Sequence, residues 1–148
     1  TELKELLLEK HATIKATELC EVSIIPFQFR QLMLNLIGNA LKFAKPGVPP
    51  FIIIKSSIKT GRTLKYEKLL PEKKYCHIII TDNGIGFEPE YKERIFEIFQ
   101  RLHDKSEYEG TGIGLAIVKK IVENHNGFIT ATSELGKGSR FDIYFPHL

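Results

Sequence analysis

Cysteine is scarce in this 148-residue chain. The two present, Cys20 and Cys76, form neither a C-x-x-C pair nor a spacing typical of a metal site. That argues against a disulfide-stapled scaffold and a thiolate metal centre, and leads us to expect two reduced thiols in a cytoplasmic protein. No apolar run approaches the roughly 18 residues needed to cross a bilayer, and no basic-then-apolar secretion signal opens the chain. Net charge is only +3, too little to argue for a nucleic-acid partner. The main basic concentration, Lys59, Arg62, Lys65, Lys68, Lys73 and Lys74, also contains Gly61, Pro71, Glu67 and Glu72. We expect a solvated hairpin tip there rather than a track for phosphates. Internal repeats and low-complexity segments are absent. So is the Walker A pattern G-x-x-x-x-G-K-[ST], since Gly136-Lys137-Gly138-Ser139 lacks its spacing.

What is there suits one domain of ordinary size with a real core: 43% of residues are apolar and 26% charged. Thr1 to Leu8 reads as the end of a helix continuing from something longer. Residues 12–17 alternate as a strand, and a second short strand is expected over 21–25, stopping at Pro26. Residues 27–44 read as an amphipathic helix. Phe29, Leu32, Met33, Leu36, Ile37, Ala40, Leu41 and Ala44 share one face. Phe51–Lys55 and Cys76–Thr81 read as strands joined by a long hairpin. Helical turns are expected over 90–102, a polar mobile loop over 103–113, and a helix from Gly114 to His125. Strands over 128–133 and 139–145 close the chain. The elements do not alternate as βαβ units, so we expect helices on one face of a mixed sheet.

Four groups of residues carry chemistry. Gln31, Asn35, Asn39 and Lys42 form a narrow polar stripe on the first helix. Asn is a poor helix former, costing up to about 0.7 kcal/mol relative to Ala, so two of them one turn apart ask for a reason. Amide oxygens suit Mg²⁺, and Lys42 can reach phosphates; a solvated polar face is the alternative. Second, Asp82 stands at the end of an apolar strand, where a carboxylate needs a donor such as an adenine amine. Gly84 and Gly86 then allow close approach to a flat ring, and Ile85 and Phe87 offer apolar contact. A tight turn with Asp as a local cap is the alternative. Third, Gly110-Thr111-Gly112-Ile113-Gly114-Leu115 opens a helix whose N-terminus is a ready anion site. Fourth, Phe96 and Phe99 are core anchors, and Arg101 stands where the polar loop begins.

In this order the segments resemble the ATP-binding catalytic domain of bacterial sensor histidine kinases. Asn35–Phe43 is similar to its N box, Asp82–Phe87 to its first glycine box and Phe96–Arg101 to its F box. Gly110–Leu115 is similar to its second glycine box, and Gly136–Phe141 to a late glycine-containing turn. The likeness runs from about residue 10 to the C-terminus. It implies the Bergerat fold, an α/β two-layer sandwich with a mixed sheet of about five strands and three main helices on one face. It also implies a division into residues 1–10, the end of a linker helix, and residues 11–148, the ATP-binding domain.

The resemblance implies two cofactors, ATP and Mg²⁺. Asn39 ligates the metal, Lys42 and Arg101 contact phosphates, and Asp82 accepts from the adenine amine. Phe43 and Ile85 line the ring beside Gly84 and Gly86. Residues 100–113 form an ATP lid, in which Gly110, Thr111, Gly112, Gly114 and Leu115 bind nucleotide, and Ser139 adds a contact near the adenine. The candidate catalytic residues are Asn35, Lys42 and Arg101. Related topoisomerase, mismatch-repair and chaperone ATPases carry a Glu four residues before the magnesium Asn. Here that position is Asn35, which cannot act as a general base, so the chemistry favours keeping ATP intact until another nucleophile arrives. His11, His77, His103, His125 and His147 all lack a phosphoacceptor context, being followed by no Glu-Pro. The implied partners are a separate histidine phosphoacceptor domain and, indirectly, a response regulator. Nucleic acid and direct membrane contact are not expected, although a parent kinase could be membrane-anchored; the isolated domain is expected to be a cytoplasmic monomer. Two alternatives stand beside this reading: an ATP-sensing regulatory module, and a standalone ATPase or serine kinase of the same superfamily.

Overall fold

The computed structural model describes residues 8, 10–17, 20–21, 24–97 and 114–147. Five strands form one mixed sheet in the order β1-β2-β3-β5-β4, with β1 Thr13–Ala16, β2 Phe51–Thr60, β3 Lys74–Asp82, β4 Phe128–Glu134 and β5 Gly138–Pro146. β1 pairs with β2 in parallel, and the other pairs are antiparallel. Two long helices, α1 (Pro26–Lys42) and α3 (Gly114–Asn124), cover one face, and two 3-10 turns over Pro89–Tyr91 and Arg94–Phe96 follow β3. A one-turn helix, α2, spans Gly61–Leu64.

Period-2 alternation explains how the strands reach this arrangement. Cys76, Ile78 and Ile80 on β3 and Phe141, Ile143 and Phe145 on β5 face the helices. They meet Leu32, Leu36, Ala40 and Leu41 of α1 and Val118, Ile121 and Val122 of α3. Phe87, Ile95 and Phe96 complete this core, so Phe87 belongs to the interior rather than to a ligand surface. Pro26 at the first position sets the start of α1. Asn126, in the left-handed conformation (φ 60°), ends α3 in a Schellman turn. Gly127 N–H donates to Val122 O (2.9 Å) and Asn126 N–H to Glu123 O (3.0 Å).

Three expectations need correcting. No strand forms over the described residues 21, 24 and 25, which run without regular structure into Pro26. The connection after β2 is not merely a solvated tip: it folds back over the second face of the sheet. There Leu69 is buried with Tyr75 and Tyr144, Leu64 and Phe128 pack beside them, and Tyr66 stacks on Tyr144 at 5.3 Å. Its charges stay outside, with Arg62 paired to Glu72. Finally, Cys20 and Cys76 are not free thiols but a disulfide. The segment between β1 and α1 crosses the start of β3 and brings the two Cα atoms to 6.4 Å, within disulfide range. Spacing along the chain cannot show that crossing. A bond across 56 residues removes unfolded-state entropy worth about 2–4 kcal/mol.

The second face also holds a buried polar cluster. His77 Nε2 lies 2.7 Å from Asp142 Oδ2, and Arg140 donates to both Asp142 oxygens at 2.9 Å. His77 stacks on Tyr144 at 4.6 Å. Burial pushes the Asp142 carboxyl up, but hydrogen bonds from His77 and Arg140 together outweigh it and hold the group below the ordinary carboxylate value. A depressed folded value stabilises the fold fully above the ordinary carboxylate range and is lost as pH falls through the depressed value. Asp142→Asn should therefore cost about 1–3 kcal/mol near neutrality. It should also flatten the acid limb of a chemical-denaturation profile; an unchanged limb would count against this cluster.

Candidate nucleotide site

β3, the central strand, ends at Asp82, and α1 delivers its last turn to the same end of the sheet. The two are tied by backbone: Phe43, the residue that ends α1, accepts a hydrogen bond on its carbonyl from Ile85 N–H (2.9 Å). Gly84 lies so close to that carbonyl that an added Cβ would stand 2.5 Å from Phe43 O. Phe43 N–H in turn donates to Asn39 O, one helical turn back. The metal-type Asn and the strand-end acid thus share one corner of the molecule.

The β4–β5 turn clasps the same loop from the other side. Gly136 N–H donates to Ile85 O (2.8 Å), and an added Cβ on Gly86 would meet Glu134 O at 2.2 Å. The buried Ser133 hydroxyl accepts from Phe87 N–H (2.9 Å) and donates to Gly138 O (2.6 Å). Asn83 pins the loop to the start of β2, accepting from Phe51 N–H (2.8 Å) and donating to Pro49 O (3.2 Å). Gly84 and Gly86 are therefore pressed against protein backbone on both sides.

Within this clasp one Asp82 oxygen, Oδ1, accepts from Gly84 N–H (2.9 Å) and Ser139 N–H (3.3 Å). The other, Oδ2, meets no donor among the described residues. Burial raises the Asp82 carboxyl above its ordinary value, and the two backbone donors offset this only in part. A half-satisfied, desolvated carboxylate fits a ligand that brings a donor, such as an exocyclic amine. On α1, the Asn35 side-chain nitrogen is buried with no partner among the described residues. Asn39 is half-buried, and Lys42 is exposed with no ion-pair partner among the described residues. An orphaned amide, a second amide one turn on and an uncommitted ammonium fit a Mg²⁺-bound polyphosphate, for which Asn39 would supply the hard oxygen ligand.

The other candidates are distributed as follows. Gly114 opens α3, which packs alongside α1, and Leu115 packs against the core. Ser139 touches Asp82 through its backbone N–H, while its hydroxyl lies 3.3 Å from that of Ser133. Ile85 is half-buried and contributes both backbone groups to the clasp. Arg101, Gly110, Thr111 and Gly112, with the rest of the expected lid, lie outside the described residues.

A family model described as histidine kinase-, DNA gyrase B-, and HSP90-like ATPase matches residues 25–148. The chain belongs to that family. Over 144 residues this ATPase-family domain is 41% identical to cyanobacterial phytochrome A of Nostoc sp. strain PCC 7120, covering 97% of this chain and 17% of the relative. It thus spans about a sixth of that relative's length. The catalytic domain of the histidine kinase ThkA superposes with a TM-score of 0.71 at 23% identity, covering 98% of this chain and 85% of that one. Full-length ShkA in complex with AMPPNP gives 0.71 at 27% identity, covering 98% of this chain and 28% of that one. The mixed five-stranded sheet and its helices are the Bergerat ATP-binding fold. Among the described residues no helix is long and apolar enough to cross a membrane.

Sequence reasoning missed three contacts around this corner of the molecule: those of Ser133, the Phe43 carbonyl and Lys10. Ser133 could have been flagged as a polar residue at an inward position of β4. The Phe43 carbonyl has no sequence signature, because every residue carries one. Lys10 donates from Nζ to Leu41 O at 2.6 Å, a contact across 31 residues that no local pattern encodes.

Proposed function

We propose that this chain is the catalytic ATP-binding domain of a two-component sensor histidine kinase. It binds Mg-ATP and passes the γ-phosphoryl group to a histidine on a separate phosphoacceptor domain, from which a response regulator is charged. Residues 1–10 are the end of the linker from that domain, and residues 11–148 are the nucleotide-binding unit, monomeric when isolated. The observation that carries the proposal is the backbone tie joining the Asn39 turn of α1 to the loop after Asp82, with a neutral Asn35 one turn earlier. Asp82 Oδ2 accepts from the adenine amine, while Phe43 and Ile85 flank the ring. Lys42 and Arg101 hold the phosphates. By the family resemblance, Gly110, Thr111, Gly112, Gly114 and Leu115 bind the nucleotide, with backbone N–H groups offered to negative charge. Ser139 acts through Asp82.

Mg²⁺, when bound to Asn39, neutralises phosphate charge and supplies electrophilic assistance. Asn35 offers no base to activate water, which leaves ATP to an incoming imidazole. ATP chemistry of this kind supports a cytoplasmic location for the domain.

The test is to mix the chain with a separately supplied histidine hairpin and ATP labelled at the γ position. Acid-labile label on histidine is the expected result. Label that stays on ATP while ADP still binds would leave an ATP-sensing module, and rapid release of free phosphate would indicate a standalone ATPase. In the same titrations, Asn39→Ala should abolish the dependence of ATP affinity on Mg²⁺ and spare metal-free ADP binding. A variant that keeps the full Mg²⁺ response would remove Asn39 as the ligand.

A further inference from the structure

The C-terminus of α1 is capped in an unusual way. Phe43, its capping residue, has φ −102° and ψ 28°, so no left-handed residue folds back over the last carbonyls. Groups from elsewhere take them instead: Ile85 N–H bonds Phe43 O, and Lys10 Nζ bonds Leu41 O at 2.6 Å. A cation placed there also meets the negative end of the helix dipole. Lys10 is half-buried. It stands just before β1, behind a left-handed His11 (φ 56°) whose N–H donates to Leu8 O at 3.2 Å. The chain then enters the sheet, with Thr13 N–H bonded to Pro50 O (2.9 Å) and β1 paired to β2 from Phe51 onward. Phe51 is in turn bonded to Asn83 of the adenine-side loop. The segment 10–16 therefore touches the candidate site by two routes, one through β2 and one through Lys10.

We infer that Lys10 is a positioning residue for nucleotide binding: its ammonium locks the segment entering β1 to the helical turn that carries Asn39 and Lys42. This rests on the proposed function. By the reciprocity of coupled equilibria, a lysine that holds the nucleotide-competent turn is itself held more firmly when nucleotide binds. The site and the chain entering β1 then report on each other through this hydrogen bond in addition to the route through β2.

The experiment uses the whole chain, with Mg-ADP as the probe. Affinity is measured by calorimetry, and backbone hydrogen exchange over residues 12–17 is followed with and without Mg-ADP. The variants are Lys10→Met, which keeps the apolar stem, and Lys10→Arg, which keeps the charge. Lys10→Met should weaken Mg-ADP binding about 3- to 10-fold and clearly reduce the nucleotide-induced protection of residues 12–17, leaving only what the route through β2 transmits. Lys10→Arg should restore most of both. A Lys10→Met chain that binds like wild type, or is protected equally, overturns the inference. If Lys10→Met loses its far-ultraviolet circular dichroism, Lys10→Gln takes its place under the same criteria. Failure of the wild-type chain to bind Mg-ADP would sink the proposed function itself, whereas wild-type binding with indifferent Lys10 variants would sink only the coupling.

Discussion

Asp82→Asn should weaken adenine nucleotide binding about 5- to 150-fold, the equivalent of roughly 1–3 kcal/mol for leaving one buried polar group unmatched. The substitution is chosen because it spares the loop. An Asn side-chain oxygen at the position of Oδ1 can still accept from Gly84 and Ser139 N–H. What changes is the second position, where an acceptor becomes an NH₂ donor facing the adenine amine. Guanine presents a carbonyl oxygen at that point, so the variant should lose its preference for adenine over guanine nucleotides as well as its affinity.

The pH dependence follows from the same atom. Burial raises the Asp82 carboxyl above its ordinary value, so its proton persists to higher pH than in an exposed Asp. An amine donor needs the ionised form. Wild-type affinity should therefore fall as pH drops through the raised value, with proton release on binding that shows as a buffer-dependent calorimetric heat. Asp82→Asn should bind weakly and without that slope. An Asn variant with wild-type affinity, or a wild-type slope that survives the substitution, would remove Asp82 from the adenine contact.

Gly138→Ala should be the most damaging single change to the fold near the site. Gly138 has φ +90°, and an added Cβ would stand 2.0 Å from Asp82 O and 2.9 Å from Asp82 C. Both neighbours are backbone of the central strand and cannot rotate away. Left-handed strain and forced overpacking each cost about 1–3 kcal/mol. Their sum should lower the melting temperature by about 10 °C or more for a domain of this size. The displaced β3 end should also carry Asp82 out of register, so nucleotide binding falls with stability. Gly136, also at positive φ (+81°), has nothing within 4 Å of an added Cβ, so Gly136→Ala serves as the control. Equal melting temperatures for the two variants would show that the Gly138–Asp82 approach is not tight in solution.

Much of the framework was legible in the sequence because it is local. The period of α1, its start at Pro26, the ending of α3 at Asn126-Gly127 and the β-branched runs of β2 and β3 each depend on neighbours within a turn or a strand. The order of polar residues on α1 and the position of Asp82 after an apolar strand each left an alternative open, and only the family resemblance joined them into one pocket. The disulfide and the folded-back connection after β2 were not legible, since both depend on where separate segments cross. Leu69 and Tyr66 look like ordinary residues of a charged loop until Tyr75 and Tyr144 are seen beneath them. Likewise Cys20 and Cys76 show no spacing until the chain before α1 is laid over β3.

The sequence by itself determined most of the elements, the core faces and the chemical inventory of the candidate site: two amides, an ammonium, a carboxylate and glycines in a fixed order. It could do so because helix and strand periods, turn residues and side-chain chemistry act over a few residues. Only the tertiary structure decided that Phe43 O meets Ile85 N–H, that Ser139 N–H reaches Asp82 Oδ1, and that Lys10 caps α1. Those are contacts between atoms 31 to 57 residues apart, made by backbone groups and long side chains that every sequence carries, and only packing selects which of them meet.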